Sequence, residues 1–151
     1  MRLETKEIHE YQKNRYPYLL VDVAEEVVPG VSAKGYKNLS INDWFFDCHF
    51  PGDPNMPGML QIEAIVQLSA LAILTMEGNK GEVAYLTSAR NLKWSRKVVP
   101  GERFDMNTEL ISFKRGIGSF TGVGSVEGDI ACKADFTLIL PHIIDNYKVN
   151  K

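Results

Sequence analysis

The sequence has few of the features that mark several common classes of protein. Only two of its 151 residues, Cys48 and Cys132, are cysteines, and no CxxC or HExxH pattern is present. These absences exclude the common zinc motifs and a disulfide-bonded scaffold. The sequence also has no Walker loop and no GxGxxG segment, and its formal net charge of −2 argues against general affinity for nucleic acid.

We expect neither a signal peptide nor a membrane span. The amino-terminal residues MRLETKEIHEYQKNRYPY lack the apolar core of a signal peptide. The longest apolar run, Met59 to Met76, contains Glu63, and a charge near the centre of a bilayer costs roughly 2.5–3.5 kcal/mol. A helix buried inside protein is therefore the better interpretation. Two thiols without other cysteine-rich features suit a reducing compartment, so we expect a cytoplasmic protein.

What the sequence does contain is typical of one globular domain spanning residues 1–151. Apolar residues make up 44% and charged residues 24%, and a chain of this length can bury a real core. Alternating polarity and turn residues predict six strands, in YLLVDVAEEVV, SAKGYKNLS, EVAYLTSARNLKW, ERFDMNTELISF, SFTGVGSV and IACKADFTLIL. We therefore predict an α+β domain in which a curved antiparallel sheet wraps one long helix and a second copy covers what remains.

The predicted helix has recognisable ends. Pro57 suits the first helical position, where a missing N–H is not needed, and Gly78 suits a left-handed cap at the other end. Glu63 is unusual on so apolar a helix, because burial should raise the pKa of a carboxyl group toward the protonated acid. Gln67 stands four residues later on the same face, where it can orient Glu63; alternatively, the two side chains merely satisfy each other.

Two further residues near the start of this helix suggest acid–base chemistry. The N–H of Gly58 has no partner within the helix and no side chain blocks it, so it can stabilise a carbonyl oxygen that gains negative charge. His49 supplies a base that works near neutral pH, although a loop histidine is more often structural. Together with an acid such as Glu63, these groups can remove a proton beside a carbonyl and expel a β-hydroxyl.

Two other interpretations of the same stretch remain open. Pro51, Pro54 and Pro57 form a PxxPxxP run of the kind that SH3-type domains bind, but here it leads directly into a buried helix. Cys48 beside His49 suggests a thiol nucleophile with its base. Adjacent residues of an extended segment point to opposite sides, however, so direct pairing is awkward.

The segment HFPGDPNMPGMLQIEAIVQ resembles the signature of the 3-hydroxyacyl-[acyl-carrier-protein] dehydratases of type II fatty-acid synthesis. The matching residues are His49, Phe50, Pro51, Pro54, Pro57, Gly58, Glu63 and Gln67. The segments NRYPYLLVD and KVVPGE are also similar in order and spacing. The resemblance extends from about Arg15 to Pro141, which is most of the chain.

The resemblance implies a hot-dog fold and a homodimer with its active sites at the interface, often assembled further into a hexamer. In such a dimer His49 would take the C2 proton of a 3-hydroxyacyl thioester, and Glu63 of the other subunit would protonate the leaving hydroxyl. The Gly58 N–H would polarise the thioester carbonyl. Tyr16 matches a tyrosine that gates the acyl tunnel, and the substrate-binding residues would be Tyr16, Gln67, Phe50 and Pro57.

The resemblance also implies an acyl carrier protein as partner and no metal or organic cofactor, since the acyl group arrives on a phosphopantetheine arm. An acidic carrier requires a basic surface. Arg90, Lys93, Arg96 and Lys97 supply one in the segment ARNLKWSRK. The alternative is that these side chains simply form a solvated strand edge.

The sequence departs from the family pattern in three places. Cys48 replaces a glycine and could narrow the site or shift His49, Asn14 replaces a histidine, and the bulky Leu68 and Leu71 replace small residues. These departures suggest a divergent member. Two alternative functions therefore stay open: a hot-dog acyl thioesterase, and a catalytically weak protein that binds acyl chains or the carrier protein.

Overall fold

The computed structural model describes residues 1–148, so residues 149–151 of the expected domain lie outside the described residues. Helices α1 to α4 run over Thr5–Tyr11, Trp44–Cys48, Gly58–Leu74 and Pro141–Ile144, and a 3₁₀ helix follows at Asp145–Tyr147. Strands β1 to β6 run over Val23–Val28, Ser32–Asn38, Tyr85–Trp94, Arg103–Lys114, Ile117–Val126 and Asp129–Ile139.

The six strands form one antiparallel sheet in the order β1-β2-β4-β5-β6-β3. Tight hairpins join β4 to β5 and β5 to β6, and their turns contain Arg115-Gly116 and Glu127-Gly128, all at positive φ. Two successive positive φ values match the twist of the flanking strands, and glycine supplies one of them without strain. The six strands that the alternating pattern predicts are confirmed.

Helix α3 lies at the centre of the core because the sheet curves around it. Every residue from Ala64 to Leu74 is buried. A Cβ atom on Gly122 would overlap Ile65, so β5 approaches the helix closely at this point. The sheet contributes three fully buried aromatic side chains, Phe104, Phe120 and Phe136. Each such burial is worth about 1.5–3 kcal/mol, and the predicted arrangement of a helix wrapped by a sheet is confirmed.

The ends of α3 differ from the prediction by a few residues. Pro57 is the N-cap rather than the first helical residue, and the helix ends at Leu74, well before Gly78. The Nδ2 of Asn79 donates a hydrogen bond to the carbonyl oxygen of Ile73 over 2.8 Å. This side chain satisfies a carbonyl of the last turn, so the helix does not need a glycine cap there. None of the helices within residues 1–148 is long and apolar enough to cross a bilayer.

The amino-terminal region contains a helix, α1, that is not among the predicted elements. The side chains of Glu4 and Glu7 form a reciprocal capping box at its start, and Ile8 anchors it in the core with no exposed surface. The first strand begins at Val23 rather than at Tyr18, as the sequence pattern predicted. Of the intervening residues, Tyr18 and Leu20 form backbone hydrogen bonds with the side chain of Gln67 on α3, whereas the N–H of Asp22 already donates to Tyr36 of β2.

Strand β3 is the least covered part of the sheet. It forms one edge and pairs with β6 on one side only. Its apolar side chains are exposed, with Tyr85 at 56%, Leu86 at 43% and Trp94 at 41%. An unpaired strand edge with apolar side chains is a typical surface for association. This edge is therefore the part of the fold that the predicted second copy would cover.

Candidate active site

His49 directly follows α2, and the backbone of its own loop holds the ring. The Nδ1 atom lies 3.0 Å from the carbonyl oxygen of Asn55. A carbonyl oxygen only accepts, so Nδ1 carries the hydrogen, and Nε2 of the neutral ring keeps a free lone pair. The ring is half-buried, and its centroid lies 4.0 Å from that of the Phe50 ring. His49 is thus arranged to take up a proton at Nε2.

Glu63 is the one residue between Gln61 and Leu74 on α3 that is not fully buried. Its Oε1 accepts a hydrogen bond from Nε2 of Gln67 over 2.9 Å, as the four-residue spacing predicts. Burial raises the pKa of Glu63, and the hydrogen bond from Gln67 opposes that shift because it stabilises the ionised form. The carboxyl group is therefore biased toward the protonated state that a general acid requires.

Glu63 also lines a cavity of about 110 Å³ that follows one face of α3. The spacing of Val66, Ala70 and Leu74 places these residues on the face that carries Glu63. The apolar walls of the cavity are Val66, Ala70, Leu74, Val83, Ala84, Leu86 and Leu138. A carboxyl group in such surroundings can act on a polar group that is attached to an apolar chain.

The amino-terminal segment forms the polar wall of this cavity, which sequence reasoning missed except at Asn14. Gln12, Lys13 and Asn14 all line it. Gln12 is buried, and its Nε2 donates to the backbone carbonyl of Gln67 over 3.2 Å. The capping pair at the start of α1 was the only signal in the sequence that could have indicated an ordered element here.

Gly58 is the first residue of α3, and its N–H makes no hydrogen bond among residues 1–148. It lines a second cavity of about 260 Å³ together with Gln61, Trp94 and Arg96. The Trp94 ring packs so closely that a Cβ atom on Gly58 would lie 2.5 Å from Nε1. Only glycine fits there without displacing the ring. Trp94 is a site residue that sequence reasoning missed because the contact is tertiary.

A single chain does not bring the predicted acid and base together. Neither His49 nor Gly58 lines the cavity of Glu63, and no hydrogen bond joins His49 to Glu63. Tyr16 is 91% exposed and lines a separate cavity with Pro17. The pairing of His49 with Glu63 between subunits, and the gating role of Tyr16, therefore stay predictions.

The other predicted substrate-binding residues surround His49 and the start of α3. Phe50 is 53% exposed and lies beside the histidine ring. Pro57 is half-buried and begins α3 as its N-cap. Their proposed contacts with substrate stay predictions.

The basic side chains predicted to bind a carrier protein differ in their surroundings. Arg90 and Lys93 are exposed on β3. Arg96 forms an ion pair with Glu102, and Nζ of Lys97 lies 2.8 Å from Oδ2 of Asp53. Two of the four charges are therefore already partnered, and carrier binding stays a prediction.

Of the four residues that depart from the family pattern, Asn14 lines the cavity of Glu63, and the other three line neither that cavity nor the cavity of Gly58. Cys48 is exposed, and its Sγ lies 3.5 Å from the carbonyl oxygen of Phe45, so the thiol faces its own helix. Leu68 and Leu71 are completely buried and do not line the cavity of Glu63. Within residues 1–148 no cluster of three His, Cys, Asp or Glu side chains is suited to holding a metal ion.

Comparison of the sequence with protein families identifies a FabA-like domain over residues 13–135. The chain is 44% identical over 135 residues to the 3-hydroxyacyl-[acyl-carrier-protein] dehydratase FabZ of Clostridium novyi, which covers 89% of this chain and 95% of that protein. It is 41% identical over 138 residues to the protein of the same name from Bacillus subtilis, with 91% and 98% covered.

Solved structures also match. The dehydratase heterocomplex ApeI:P from Xenorhabdus doucetiae superimposes with a TM-score of 0.78 at 17% identity, over 89% of this chain and 90% of that chain. A hypothetical thioesterase from Streptococcus pneumoniae, solved with coenzyme A, gives 0.61 at 14% identity over 78% and 83%. At these identities the likeness concerns the fold alone, and the hot-dog fold that the resemblance implied is confirmed.

Proposed function

The chain belongs to the FabA-like domain family, and on that premise we propose that it is a (3R)-hydroxyacyl-[acyl-carrier-protein] dehydratase of fatty-acid or related acyl-chain biosynthesis. It eliminates water from a 3-hydroxyacyl thioester and forms the trans-2-enoyl thioester. The observation that supports this assignment is the environment of the Glu63 carboxyl group. A carboxyl group whose pKa is raised by burial, at an apolar cavity, is the acid that a hydroxyl leaving group requires.

The reaction uses three groups of the chain. Nε2 of His49 takes the C2 proton, and the electron pair moves toward the thioester carbonyl, whose oxygen the Gly58 N–H stabilises. The pair then forms the C2–C3 double bond, the C3–O bond breaks, and Glu63 donates a proton to the departing hydroxyl. Water leaves, and proton exchange with solvent restores both side chains. No metal or organic cofactor takes part in these steps.

The acid and the base belong to different subunits of a homodimer. Two observations support this part of the proposal: His49 does not reach the cavity of Glu63 within one chain, and β3 presents an uncovered edge with exposed apolar side chains. Pairing of two such edges would extend the sheet and bring the α3 helices of both copies to one interface. Assembly of three dimers into a hexamer is the further step that the family resemblance suggests.

The substrate arrives on the phosphopantetheine arm of an acyl carrier protein in the cytoplasm. Arg90 and Lys93 are the more favourable contacts for an acidic carrier, since within residues 1–148 neither is held in an ion pair of the kind that occupies Arg96 and Lys97. Tyr16, Phe50 and Pro57 are expected at the entrance. The exposed ring of Tyr16 would have to turn inward to act as a gate.

Turnover of a thioester by the purified protein tests the function. We expect absorbance at the enoyl thioester wavelength to rise when a 3-hydroxyacyl thioester is added, and we expect His49→Ala and Glu63→Gln to abolish the change. Release of free thiol without dehydration would indicate a thioesterase instead. Carrier binding without turnover on any chain length would indicate a binding protein.

Mixing the two inactive variants tests the shared site separately. If His49 and Glu63 of different subunits form each site, a heterodimer of His49→Ala with Glu63→Gln contains one site with both native residues. Such mixtures should regain up to about a quarter of the native activity per subunit after random exchange. No recovery in a mixture shown to contain heterodimers would contradict a site built between subunits.

A further inference from the structure

The indole ring of Trp94 lies directly against Gly58 at the start of α3. A Cβ atom on Gly58 would lie 2.5 Å from Nε1, 2.7 Å from Cε2 and 3.0 Å from Cδ1 of this ring. The three atoms belong to the edge of the indole that carries the N–H group. Close packing therefore brings a polar edge, and not only apolar surface, to the beginning of the helix.

Simple geometry limits how far apart the two donor nitrogens can be. A Cβ position lies roughly 2.5 Å from the backbone nitrogen of its own residue. The nitrogen of Gly58 and Nε1 of Trp94 are therefore no more than roughly 5 Å apart. A carbonyl oxygen that accepts along its two lone-pair directions, roughly 120° apart, at about 2.9 Å holds two donor nitrogens roughly 5 Å apart. Among residues 1–148, neither N–H makes a hydrogen bond, so both are free to donate.

The cavity beside these donors favours a neutral ligand over an anion. Its two cationic side chains, Arg96 and Lys97, are already paired with Glu102 and Asp53. Gln61 also lines the cavity, is only 3% exposed, and leaves Oε1 without a hydrogen-bond partner. An unpaired buried acceptor costs about 1–3 kcal/mol and would repel a phosphate oxygen. A neutral carbonyl oxygen fits these surroundings better than a phosphate oxygen does.

We propose that Nε1–H of Trp94 is a second hydrogen-bond donor to the thioester carbonyl oxygen, beside the Gly58 N–H. This inference rests on the proposed dehydratase function and names a further residue for it. When His49 removes the C2 proton, the electron pair enters the carbonyl and its oxygen gains negative charge. Two donors that already lie beside the carbonyl oxygen stabilise that charge more than one does.

Replacement of the indole with a ring that has no N–H tests the donor. Trp94→Phe keeps an aromatic side chain in the space over Gly58, and we expect kcat/KM to fall about 100-fold, the usual effect of losing one such donor. We expect Trp94→His, whose ring retains an N–H, to recover part of that loss. Circular dichroism and thermal unfolding check that each variant folds, and Trp94→Met replaces Trp94→Phe if the latter does not.

An infrared measurement separates hydrogen bonding from packing. A saturated acyl thioester of pantetheine cannot lose water, so its carbon-13-labelled carbonyl can be observed while bound to the protein. Donation from Trp94 should lower the carbonyl stretching frequency in the native protein relative to Trp94→Phe. Equal frequencies, or equal kcat/KM values, would overturn the proposal. The frequency is measured without turnover. If the native protein had no dehydratase activity, that result would refute the proposed function, and the infrared comparison would still test the hydrogen bond from Trp94.

Discussion

Gln67 connects Glu63 to the amino-terminal segment through a single amide group. Its Nε2 donates to Oε1 of Glu63 over 2.9 Å and to the carbonyl oxygen of Tyr18 over 2.7 Å, and its Oε1 accepts from the N–H of Leu20 over 2.8 Å. The carboxyl group that is proposed to protonate the leaving hydroxyl is therefore oriented by the same residue that holds residues 18–20 against α3.

We predict that Gln67→Leu lowers stability by about 2–4 kcal/mol, because it leaves a partly buried carbonyl of Tyr18 and a buried N–H of Leu20 without partners. Urea unfolding of native and variant protein measures the change. Gln12→Leu is the matched control, since it removes a buried glutamine that makes one hydrogen bond and has an unpaired Oε1. We expect that control to unfold at nearly the native urea concentration. Similar losses in both variants would contradict the special role of Gln67.

The pH dependence of turnover should report on Glu63. A general acid acts while it is protonated, so activity should fall as pH rises through the pKa of Glu63, which burial raises. The Gln67 hydrogen bond lowers that pKa, so Gln67→Leu should move the alkaline fall of the kcat/KM profile to higher pH. A shift to lower pH would contradict the assignment of Glu63 as the acid.

The same pKa shift predicts how stability depends on pH. Because the folded pKa of Glu63 exceeds the unfolded value near 4.5, the folded protein holds this proton more tightly. This contribution to stability is complete below the unfolded pKa and is lost as pH rises through the folded pKa. The side chain of Glu63→Gln cannot titrate. As pH rises from the unfolded to the folded pKa of Glu63, the unfolding free energy of the native protein should therefore fall relative to that of the variant. A constant difference would show that the pKa of Glu63 is the same in both states.

Gly58→Ala should impair catalysis more than folding. The added methyl group would meet the Trp94 indole at 2.5 Å, and this partly exposed ring can move outward to relieve the overlap. We expect kcat/KM to fall at least about tenfold while the melting temperature changes little, since a donor is displaced but the core is intact. Gly78→Ala should show the opposite pattern: its φ of +84° strains any other residue, but nothing lies near it.

Cys48→Gly should leave turnover within about twofold of the native value. The thiol is exposed and faces the carbonyl of Phe45, so its removal neither widens a cavity nor frees His49. Glycine at the end of α2 should lower stability by roughly 0.5–1 kcal/mol. Steady-state kinetics and thermal unfolding measure the two effects. A large gain in activity would show that Cys48 restricts the site and would support the interpretation of a weakened enzyme.

Charge on the free edge of β3 should prevent the proposed dimer. Tyr85→Asp places a carboxylate on this edge, where Tyr85 is 56% exposed, and we expect sedimentation to show monomers that lack dehydratase activity. Ile111→Asp on β4 is the matched control because Ile111 is 65% exposed and lies away from that edge. Dimers in both variants would place the interface elsewhere.

The sequence by itself determined the six strands, the long helix α3 and most of the candidate chemistry of this protein. Alternation and turn residues are local, so six strands and the long helix could be predicted, although helix α1 and the loss of strand pairing at Tyr18 depend on contacts with Gln67 and the core. Spacing along one helix was enough to pair Glu63 with Gln67. Only the tertiary structure could decide that Trp94 lies over Gly58, that Gln12 closes the cavity, and that Cys48 faces its own helix. The contacts of Trp94 with Gly58 and of Gln12 with Gln67 join residues far apart in the chain, so only the folded sheet and helices bring them together. The contact of Cys48 with Phe45 is local, but it depends on where the thiol points once α2 has formed.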